Sequence, residues 1–314
     1  MSKIHEALKK AQEERAATLS EVSHRAAEEV QNPAPSRPAA APTAVLSEPE
    51  LPNLLGTRDG GSSAPLRPEN ILKNCARPVW KVDPNAIVFA QPNSNKSGAE
   101  QFRTLRSRLS QIRETLPLGS VLVTSAISGE GKTFVASNLA QVIARQPNRR
   151  VLLIDGDLRR SRLHLPLGAP LSPGLSEYLQ GAADETEIIQ HGQEGNLYLI
   201  PGGSLVTDPS ELLSNGRFKL LMQRLAPAFD WIIVDTPPCV PVADSLIMAD
   251  HCDGVIMVVR AASTPLALAQ KARQELQGRN VIGVVLNAVE DVHAYGGYYY
   301  DGYAPSQAPD PAKL

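Results

Sequence analysis

The sequence predicts an α/β fold in which a mostly parallel sheet is covered by helices on both faces. Six short runs rich in Val, Ile and Leu lie between residues 120 and 287, and helical stretches separate them. Strands that are buried on both faces form continuous apolar runs, and parallel strands need long crossover connections. On either side of this domain, the sequence predicts a disordered N-terminal extension and a disordered tyrosine-rich C-terminal tail.

The composition excludes several classes of protein. The chain has 314 residues, 42% of them hydrophobic, and a net charge of −2, which gives no field for binding nucleic acid. The start "MSKIHEALKKAQEERA" lacks the apolar segment of a signal peptide. No apolar run approaches the roughly 20 residues of a membrane span. Cys75, Cys239 and Cys252 lie far apart, as in a reduced cytosolic protein without a zinc knuckle.

Two regions are expected to precede the folded domain. Residues 1–30 are predicted to form an amphipathic helix, since Ile4, Ala7, Leu8 and Ala11 recur at helical spacing. The apolar stripe is narrow, so this helix either docks on a partner or is a solvated helix that frays. Residues 31–84 are rich in Pro and Ala and are predicted to be a disordered linker.

The folded domain is predicted to span residues 85–292, followed by a flexible tail over residues 293–314. Its first helix lies in "GAEQFRTLRSRLSQIRETL", which places Phe102, Leu105, Leu109 and Ile112 on one face. The predicted strands are, in order, "SVLVTSA" (120–126), "RVLLIDGD" (150–157), "LYLIPGG" (197–203), "DWIIVDTPP" (230–238), "GVIMVVR" (254–260) and "VIGVVLN" (281–287). Further helices are predicted in "KTFVASNLAQVIAR", "SELLSNGRFKLLMQRLA" and "PLALAQKARQEL".

The turn after the first strand predicts a nucleotide site. "AISGEGKT", Ala126–Thr133, fits the phosphate-binding pattern G-x-x-x-x-G-K-[ST], except that Ala126 replaces the first Gly. Gly129 and Gly131 let backbone N–H groups surround the phosphates. Lys132 reaches the β- and γ-phosphate oxygens, and the Thr133 hydroxyl can ligate Mg²⁺. The sequence therefore predicts ATP and Mg²⁺ at a P-loop NTPase-like site.

Three carboxylates are expected beside this loop. Asp155 and Asp157 end the second strand, and Asp235 ends the fourth. Ligands of parallel α/β sheets bind at the carboxyl ends of the strands, so these side chains should converge on the loop. One or two of them could hold Mg²⁺ through water, and one could accept a proton from an attacking hydroxyl. Any one of them alone could equally be a strand-end cap.

The ordered set "SAISGEGKT", "VLLIDGDLRR", "WIIVDTPP" and the tyrosine-rich end resembles the bacterial tyrosine autokinases of capsule and exopolysaccharide synthesis, the BY-kinases. The resemblance covers residues 85–303 and includes "DPSELL" and "GVVLN". The start "MSKIHEALKKAQ" is similar to the sub-group found beside exosortase-type loci. The resemblance implies an ATP-dependent protein-tyrosine kinase that phosphorylates its own tail and regulates polysaccharide synthesis or export.

The resemblance also implies roles for single residues. Lys132, Asp155 and Asp157 would be catalytic, with Asp155 as the base, while Thr133, Asp157 and Asp235 would organise Mg²⁺. Arg159 would have a supporting role. The nucleotide-binding set would be Ser128, Gly129, Glu130, Gly131, Lys132, Thr133, Phe134 and Asn287. Asn287 would lie near the adenine or, alternatively, satisfy buried backbone at a strand end. Ser128 stands where the family usually has Pro, which lowers the rigidity of the loop.

The nearest alternative is a deviant-Walker ATPase that switches or positions assemblies without kinase activity. Such proteins carry a second lysine five positions before the loop lysine. Here that position is Ile127, which carries no charge, so the sequence favours the kinase. A third possibility is a scaffold protein that binds nucleotide but catalyses no reaction. The presence of both the phosphate loop and all three carboxylates argues against it.

The tail concentrates the tyrosines of the chain. Five of seven fall within residues 295–303, and they are the predicted phosphate acceptors: Tyr295, Tyr298, Tyr299, Tyr300 and Tyr303. About eight residues separate Asn287 from the first of them, a reach of at most about 28 Å. Such a tail can enter its own active site or that of a neighbour. The alternatives are an adhesive low-complexity segment and acceptors elsewhere, at Tyr178 or Tyr198.

The first domain helix carries a candidate association surface. Glu100, Arg103 and Arg106 match the family's E-x-x-R-x-x-R pattern, which resembles an element that joins subunits in a ring. The alternative is a solvated helix face with a Glu–Arg pair. The resemblance further implies a separate membrane-spanning regulator of polysaccharide chain length, a tyrosine phosphatase and no nucleic acid. The protein would be cytoplasmic and recruited to the inner face of the membrane by its partner.

Overall fold

The structure, a computed structural model, describes residues 72–90, 96–192 and 195–289. The predicted N-terminal helix, most of the predicted linker and the predicted tail with its five acceptor tyrosines lie outside the described residues. Within the described part of the chain, no helix combines the length and the apolar character needed to cross a bilayer.

A seven-stranded sheet forms the centre of the domain. Its spatial order is β3-β4-β2-β5-β1-β6-β7, and every pairing is parallel except that of β3 with β4. The strands are β1 (Ser120–Ser125), β2 (Val151–Asp155), β3 (Gln190–His191), β4 (Leu197–Ile200), β5 (Trp231–Asp235), β6 (Gly254–Arg260) and β7 (Val281–Asn287).

Helices connect these strands and cover the sheet. They are α1 (Lys96–Thr115), α2 (Lys132–Ala144), α3 (His164–Leu167), α4 (Leu175–Gln180), α5 (Glu185–Ile188), α6 (Pro209–Ser214), α7 (Arg217–Leu225), α8 (Asp244–Ala249) and α9 (Leu266–Glu275). The predicted stretch "SELLSNGRFKLLMQRLA" is thus two helices, α6 and α7. Gly216 between them adopts a positive φ of 82°, which ends the first helix and starts the second.

The core lies on both faces of the sheet. Val121 and Val123 of β1 are buried in one cluster with Leu139 and Ile143 of α2. Leu122, which points the other way along the same strand, is buried in a second cluster with Phe218 of α7. Alternate residues of one strand thus reach opposite layers, which explains its continuous apolar sequence. The predicted α/β class with a mostly parallel sheet is confirmed.

The parallel register brings the ends of β1, β2 and β5 together. Val123 of β1 and Asp155 of β2 both lie beside Asp235 of β5, on either side of it. The backbone N–H of Gly156 also donates to the carbonyl of Asp235, over 2.7 Å. The turn that follows β1 therefore lies at the same edge as the acidic ends of its neighbours.

The folded domain includes residues that the sequence assigned to the linker. Ala76 forms a parallel bridge with Gln190 of β3, and its N–H donates to the Ile189 carbonyl over 3.1 Å. The Lys81 N–H donates to the Gly168 carbonyl over 3.3 Å, and Cys75 is buried. Residues 72–84, which the sequence assigned to the linker, therefore belong to the folded domain. Their backbone groups satisfy an edge of the sheet, a long-range pairing that composition does not reveal.

Candidate active site

The phosphate loop, Ala126–Thr133, joins β1 to α2. Gly129 and Gly131 have φ values of 85° and 92°. Residues other than glycine adopt this backbone region only at a cost in free energy. A Cβ at Gly131 would also collide with the side chain of Asn287. Lys132 begins α2 and is 8% exposed. The loop thus has the backbone conformation, the lysine and the helix N-terminus that an anion site requires.

Glu130 and Asn287 hold this loop from within. The Glu130 side chain is 1% exposed, and its Oε2 accepts the Ile127 N–H over 2.7 Å. The Asn287 Nδ2 donates to the Glu130 carbonyl over 2.8 Å. The sequence placed Glu130 among the nucleotide contacts, but its carboxylate is engaged inside the protein. The sequence analysis gave two alternatives for Asn287, proximity to the adenine or a hydrogen bond to backbone. The structure shows a hydrogen bond to backbone.

The Asp235 carboxyl lies directly beside the loop. Its Oδ2 accepts the Thr133 hydroxyl over 2.6 Å. Its Oδ1 is buried and has no hydrogen-bond partner among the residues that the structure describes. Burial, followed by the charge of Asp155, raises the pKa of Asp235 to about 8, although Thr133 and Lys132 oppose the shift. The unpartnered oxygen leaves this site open to a cation.

Asp155 is more enclosed than Asp157. The Asp155 Oδ2 accepts the Ser161 hydroxyl over 2.6 Å and the Leu163 N–H over 3.0 Å. Its Oδ1 accepts the Asp157 N–H over 3.1 Å, and burial raises its pKa to about 6. Asp157 is half-buried, and its Oδ1 accepts the Arg160 N–H over 3.0 Å. The three predicted carboxylates therefore share one edge of the sheet, with Asp157 closest to solvent.

The oxygen atoms at this edge suit a hard divalent cation. The Thr133 hydroxyl and the unpartnered Oδ1 of Asp235 are oxygen donors of the kind that Mg²⁺ takes in proteins. Across the described ranges, no group of three or more His, Cys, Asp and Glu side chains could hold a metal ion. Mg²⁺ commonly binds through one or two carboxylates and completes its shell with water and phosphate. The residues present fit that pattern.

Arg159 is bound to a partner that the sequence did not identify. Its Nε and Nη2 donate to the two carboxylate oxygens of Asp244 over 2.7 and 3.0 Å. The Asp244 side chain is fully buried, and the Ser210 hydroxyl also donates to it, over 2.6 Å. This cluster fastens the segment after β2 to α6 and α8. The match "DPSELL", which contains Ser210, was the available signal for it.

The remaining predicted loop residues differ in exposure. Ser128 is exposed at the tip of the loop. Phe134 is 38% exposed and makes an edge contact with Phe102 of α1, with ring centroids 5.8 Å apart. Ile127, which replaces the second lysine of the deviant-Walker ATPases, packs against the core. This position therefore has an apolar structural role.

The predicted association motif on α1 divides into two parts. Glu100 and Arg103 form an ion pair of 2.7 Å in which both side chains are at least half exposed. Arg106 instead donates to the Val142 carbonyl at the end of α2, over 3.1 Å. The Glu–Arg pair that the sequence offered as the alternative is present. Arg106 additionally ties α1 to its own domain.

The two tyrosines named as other acceptors are enclosed. Tyr178 is 2% exposed, and its hydroxyl donates to Glu185 over 3.1 Å. Burial, followed by the charge of Glu185, raises the pKa of Tyr178 to about 12. Tyr198 is 7% exposed and stacks on His191, with ring centroids 4.2 Å apart. Both tyrosine residues are therefore buried in this conformation, and the Tyr178 hydroxyl is also engaged by Glu185.

Comparison with known proteins supports a nucleotide-binding domain. The model of the CobQ/CobB/MinD/ParA nucleotide binding domain family matches residues 121–296. Over 218 residues, the chain is 34% identical to the tyrosine-protein kinase YwqD of Bacillus subtilis (strain 168), covering 68% of this chain and 91% of that protein. The matched part of this chain therefore corresponds to nearly the whole of that kinase.

Two further comparisons concern a longer relative. The chain is 34% identical over 226 residues to the tyrosine-protein kinase etk of Escherichia coli (strain K12), which covers 71% of this chain but 31% of that protein. The solved kinase domain of the Escherichia coli tyrosine kinase ETK superposes with a TM-score of 0.61 at 34% identity, over 64% of this chain and 80% of that one. Membership of the exosortase-associated sub-group stays a prediction. The chain belongs to the CobQ/CobB/MinD/ParA nucleotide-binding family and, within it, to the bacterial tyrosine-protein kinases.

Proposed function

We propose that this protein is an ATP-dependent protein-tyrosine autokinase that phosphorylates its own C-terminal tyrosines and regulates exopolysaccharide or capsule synthesis or export. The observation that carries the proposal is the hydrogen bond from Thr133, in the phosphate loop, to the Asp235 carboxyl. The other oxygen of this carboxyl has no hydrogen-bond partner among the described residues. The relatives named tyrosine-protein kinases, at 34% identity, support the choice of phosphoryl acceptor.

In this reaction, the bond between the γ-phosphorus and the bridging oxygen of ATP breaks, and a phenol oxygen bonds to that phosphorus. ADP leaves, and the phenol gives up its proton. The N-terminus of α2 and the Lys132 ammonium attract the phosphates and offset their charge. Mg²⁺, held by Thr133, Asp157 and Asp235, would neutralise charge that develops on the phosphate oxygens. Positioning and charge neutralisation supply most of the catalysis in such transfers.

The proton is assigned to Asp155. It ends β2 next to Asp235, and its hydrogen bond with Ser161 is the contact that would have to yield to a phenol. Catalytic hydrogen bonds often form fully only when substrate is bound. Asp157 is more exposed and is assigned to the metal instead. Arg159 supports the segment that follows β2 through its ion pair with Asp244.

The acceptors are the tyrosines of residues 295–303. β7 ends at Asn287, whose side chain bonds to the phosphate loop, so the chain leaves the sheet beside the site. About eight further residues reach at most about 28 Å. The burial of Tyr178 and Tyr198 disfavours these two residues as acceptors. The tail can act on its own site or, within an oligomer, on that of a neighbour.

The assembly and its partners are also part of the proposal. Glu100, Arg103 and Arg106 lie on α1 and would join subunits in a ring. A separate membrane-spanning regulator of polysaccharide chain length would recruit the cytoplasmic kinase to the inner face of the membrane. A tyrosine phosphatase would reverse the modification. Deleting residues 1–30 tests whether the N-terminal segment takes part in this recruitment.

Incubation with γ-labelled ATP tests the activity. Wild-type protein should acquire label on tyrosine, whereas Lys132→Met and Asp155→Asn should lose about 100-fold or more of the rate, in line with the removal of one electrostatic contact. Replacing the five tail tyrosines by Phe should abolish labelling. Lys271→Met, at an exposed site of α9, is the matched control and should label normally. Equal labelling of the wild type and Lys132→Met would overturn the proposal.

A further inference from the structure

The end of β6 and the turn that joins it to α9 contact the phosphate loop through two side chains. Arg260, the last residue of β6, donates from Nη1 to the Gly129 carbonyl over 3.2 Å. Thr264 donates from its hydroxyl to the Glu130 Oε1 over 2.5 Å. Both partners are consecutive residues of the loop, yet neither Arg260 nor Thr264 belongs to its sequence motif. The turn therefore acts on the loop from outside it.

Glu130 makes this contact important, because it is the one acidic residue in "AISGEGKT". A carboxylate in a phosphate loop repels the ligand if it turns toward it. Here the side chain is 1% exposed, and both of its oxygens are engaged, one by the Ile127 N–H and one by the Thr264 hydroxyl. The charge is thereby held inside the protein.

Thr264 is itself held in a defined position. Its Oγ1 accepts the Arg260 N–H over 3.1 Å, and its own N–H donates to the Arg260 carbonyl over 3.1 Å. The Ala261 N–H donates to the Asn287 carbonyl over 2.8 Å, which fastens the turn to the end of β7. With Arg260 as donor to Oγ1, the Thr264 hydroxyl proton points to Glu130. The turn thus fixes one donor for one buried carboxylate oxygen.

We propose that Thr264 is a positioning residue for ATP, which keeps the Glu130 carboxylate turned away from the phosphates. This inference rests on the proposed function, since it concerns the same nucleotide site. Without the hydroxyl, the Oε1 of Glu130 loses the donor that holds it. A buried carboxylate oxygen without a donor is costly and moves toward water, which at this loop is also the side where phosphate binds.

The test is ATP affinity, measured by isothermal titration calorimetry on the full chain. Thr264→Val keeps the shape of the side chain and removes the donor, so the Kd for ATP should rise about tenfold. Thr264→Ser keeps the donor and should remain within about twofold of the wild type. Thr264→Ala gives the same comparison should the valine disturb folding, and thermal denaturation without nucleotide checks that each variant is folded.

A double-mutant cycle with Glu130→Gln separates repulsion from mere loosening of the loop. If the Glu130 charge weakens binding, Thr264→Val should cost much less affinity in the Glu130→Gln background. The loss should also be smaller for ADP than for ATP and should shrink at high salt. An equal loss in both backgrounds, or a Thr264→Val variant that binds ATP like the wild type, overturns this inference alone. Failure of the wild type to bind ATP overturns the proposed function as well.

Discussion

At the scale of single residues, Asp235 combines deep burial with an incomplete set of hydrogen bonds. It is 2% exposed, and its Oδ1 has no partner in the described part of the chain. Its pKa of about 8 lies above the ordinary value of 3.8, so the folded protein keeps a proton that the unfolded chain releases. Stability therefore falls as the pH rises from about 4 to about 8. A cation bound at Asp235 would stabilise the ionised carboxylate, because it supplies an opposite charge that the site lacks.

Asp235→Asn should consequently stabilise the nucleotide-free protein, because it removes a charge that burial disfavours. We expect the melting temperature to rise by about 4 °C at pH 9, and by less at pH 5, where the wild-type carboxyl is protonated. The same variant should lose its labelling activity, since it removes a proposed ligand of Mg²⁺. Thermal denaturation at the two pH values measures the first effect.

Asp208→Asn is the control, because that carboxyl is exposed at the start of α6. Its effect should be small and similar at both pH values. A stabilisation by Asp235→Asn that is no greater at pH 9 than at pH 5 would show that the buried carboxyl is not strained by its charge.

At the scale of elements, one acidic side chain connects α4 to the loops around it. Glu177 accepts the N–H groups of Gly174 and Ser204 over 2.7 and 2.9 Å, and the Ser172 hydroxyl over 3.1 Å. Burial alone would raise its pKa, but the hydrogen bonds from Ser204 and Gly174 dominate and lower it to about 2. The loop after β4 is thereby fastened to the N-terminus of a helix.

Glu177→Gln should lower the free energy of unfolding by about 1–2 kcal/mol at pH 7, since it removes a charged acceptor of several hydrogen bonds. The contribution of a carboxyl with a lowered pKa is present above its unfolded value of about 4.5 and is lost toward pH 2. The difference between variant and wild type should therefore narrow in acid. Urea denaturation at pH 7 and at pH 3 measures it.

The exposed Glu211 of α6 provides the comparison for this prediction. Glu211→Gln should stay within about 0.5 kcal/mol of the wild type at both pH values. Equal losses for the two variants would mean that the hydrogen bonds of Glu177 add nothing specific to the stability of the domain.

Elements with a strong local pattern were predictable from the sequence. β6 and β7 have the bounds that their apolar runs predicted, and α2 begins at Lys132 as the loop motif implied. β3 has two residues, too few for any periodicity, so the antiparallel edge of the sheet was not expected. Local pattern thus identified the parallel strands, including β7 at one edge, and missed β3 at the other edge.

Long-range partners were the part of the site that could not be predicted. Asp244 lies 85 positions from Arg159. The surrounding sequence, "ADSLIMAD", is typical of a short helix and does not indicate an ion pair with Arg159. Thr264 lies 134 positions from Glu130, in a turn with no recognisable motif. Buried charges need such partners, but one sequence does not show which distant residue supplies them.

At the scale of the whole molecule, we propose that the face of α1 has two roles. The exposed pair of Glu100 and Arg103 contributes little to the stability of the subunit and is available to a neighbour. Arg106 holds α1 against the end of α2 through the Val142 carbonyl. Disrupting Glu100 and Arg103 should therefore affect assembly more selectively than disrupting Arg106, whose loss also loosens the domain.

The proposed phosphorylation should control this assembly through charge. Each phosphotyrosine adds about −1.5 to −2 charges, so five add roughly −8 to −10, against a net charge of −2 for the unmodified chain. We expect dephosphorylated protein to form oligomers and phosphorylated protein to separate, because like charges crowded at each active site repel. Sedimentation velocity on the two forms measures the change, and high salt should partly restore the oligomer.

The variant with all five tail tyrosines replaced by Phe should remain oligomeric in the presence of ATP, because it cannot acquire the charge. Arg103→Ala should give separated subunits even without phosphorylation, since it removes one side chain of the proposed contact on α1. Identical sedimentation of phosphorylated and dephosphorylated wild-type protein would contradict the control of assembly by phosphorylation. The kinase activity would then modify the tail without deciding which subunits associate.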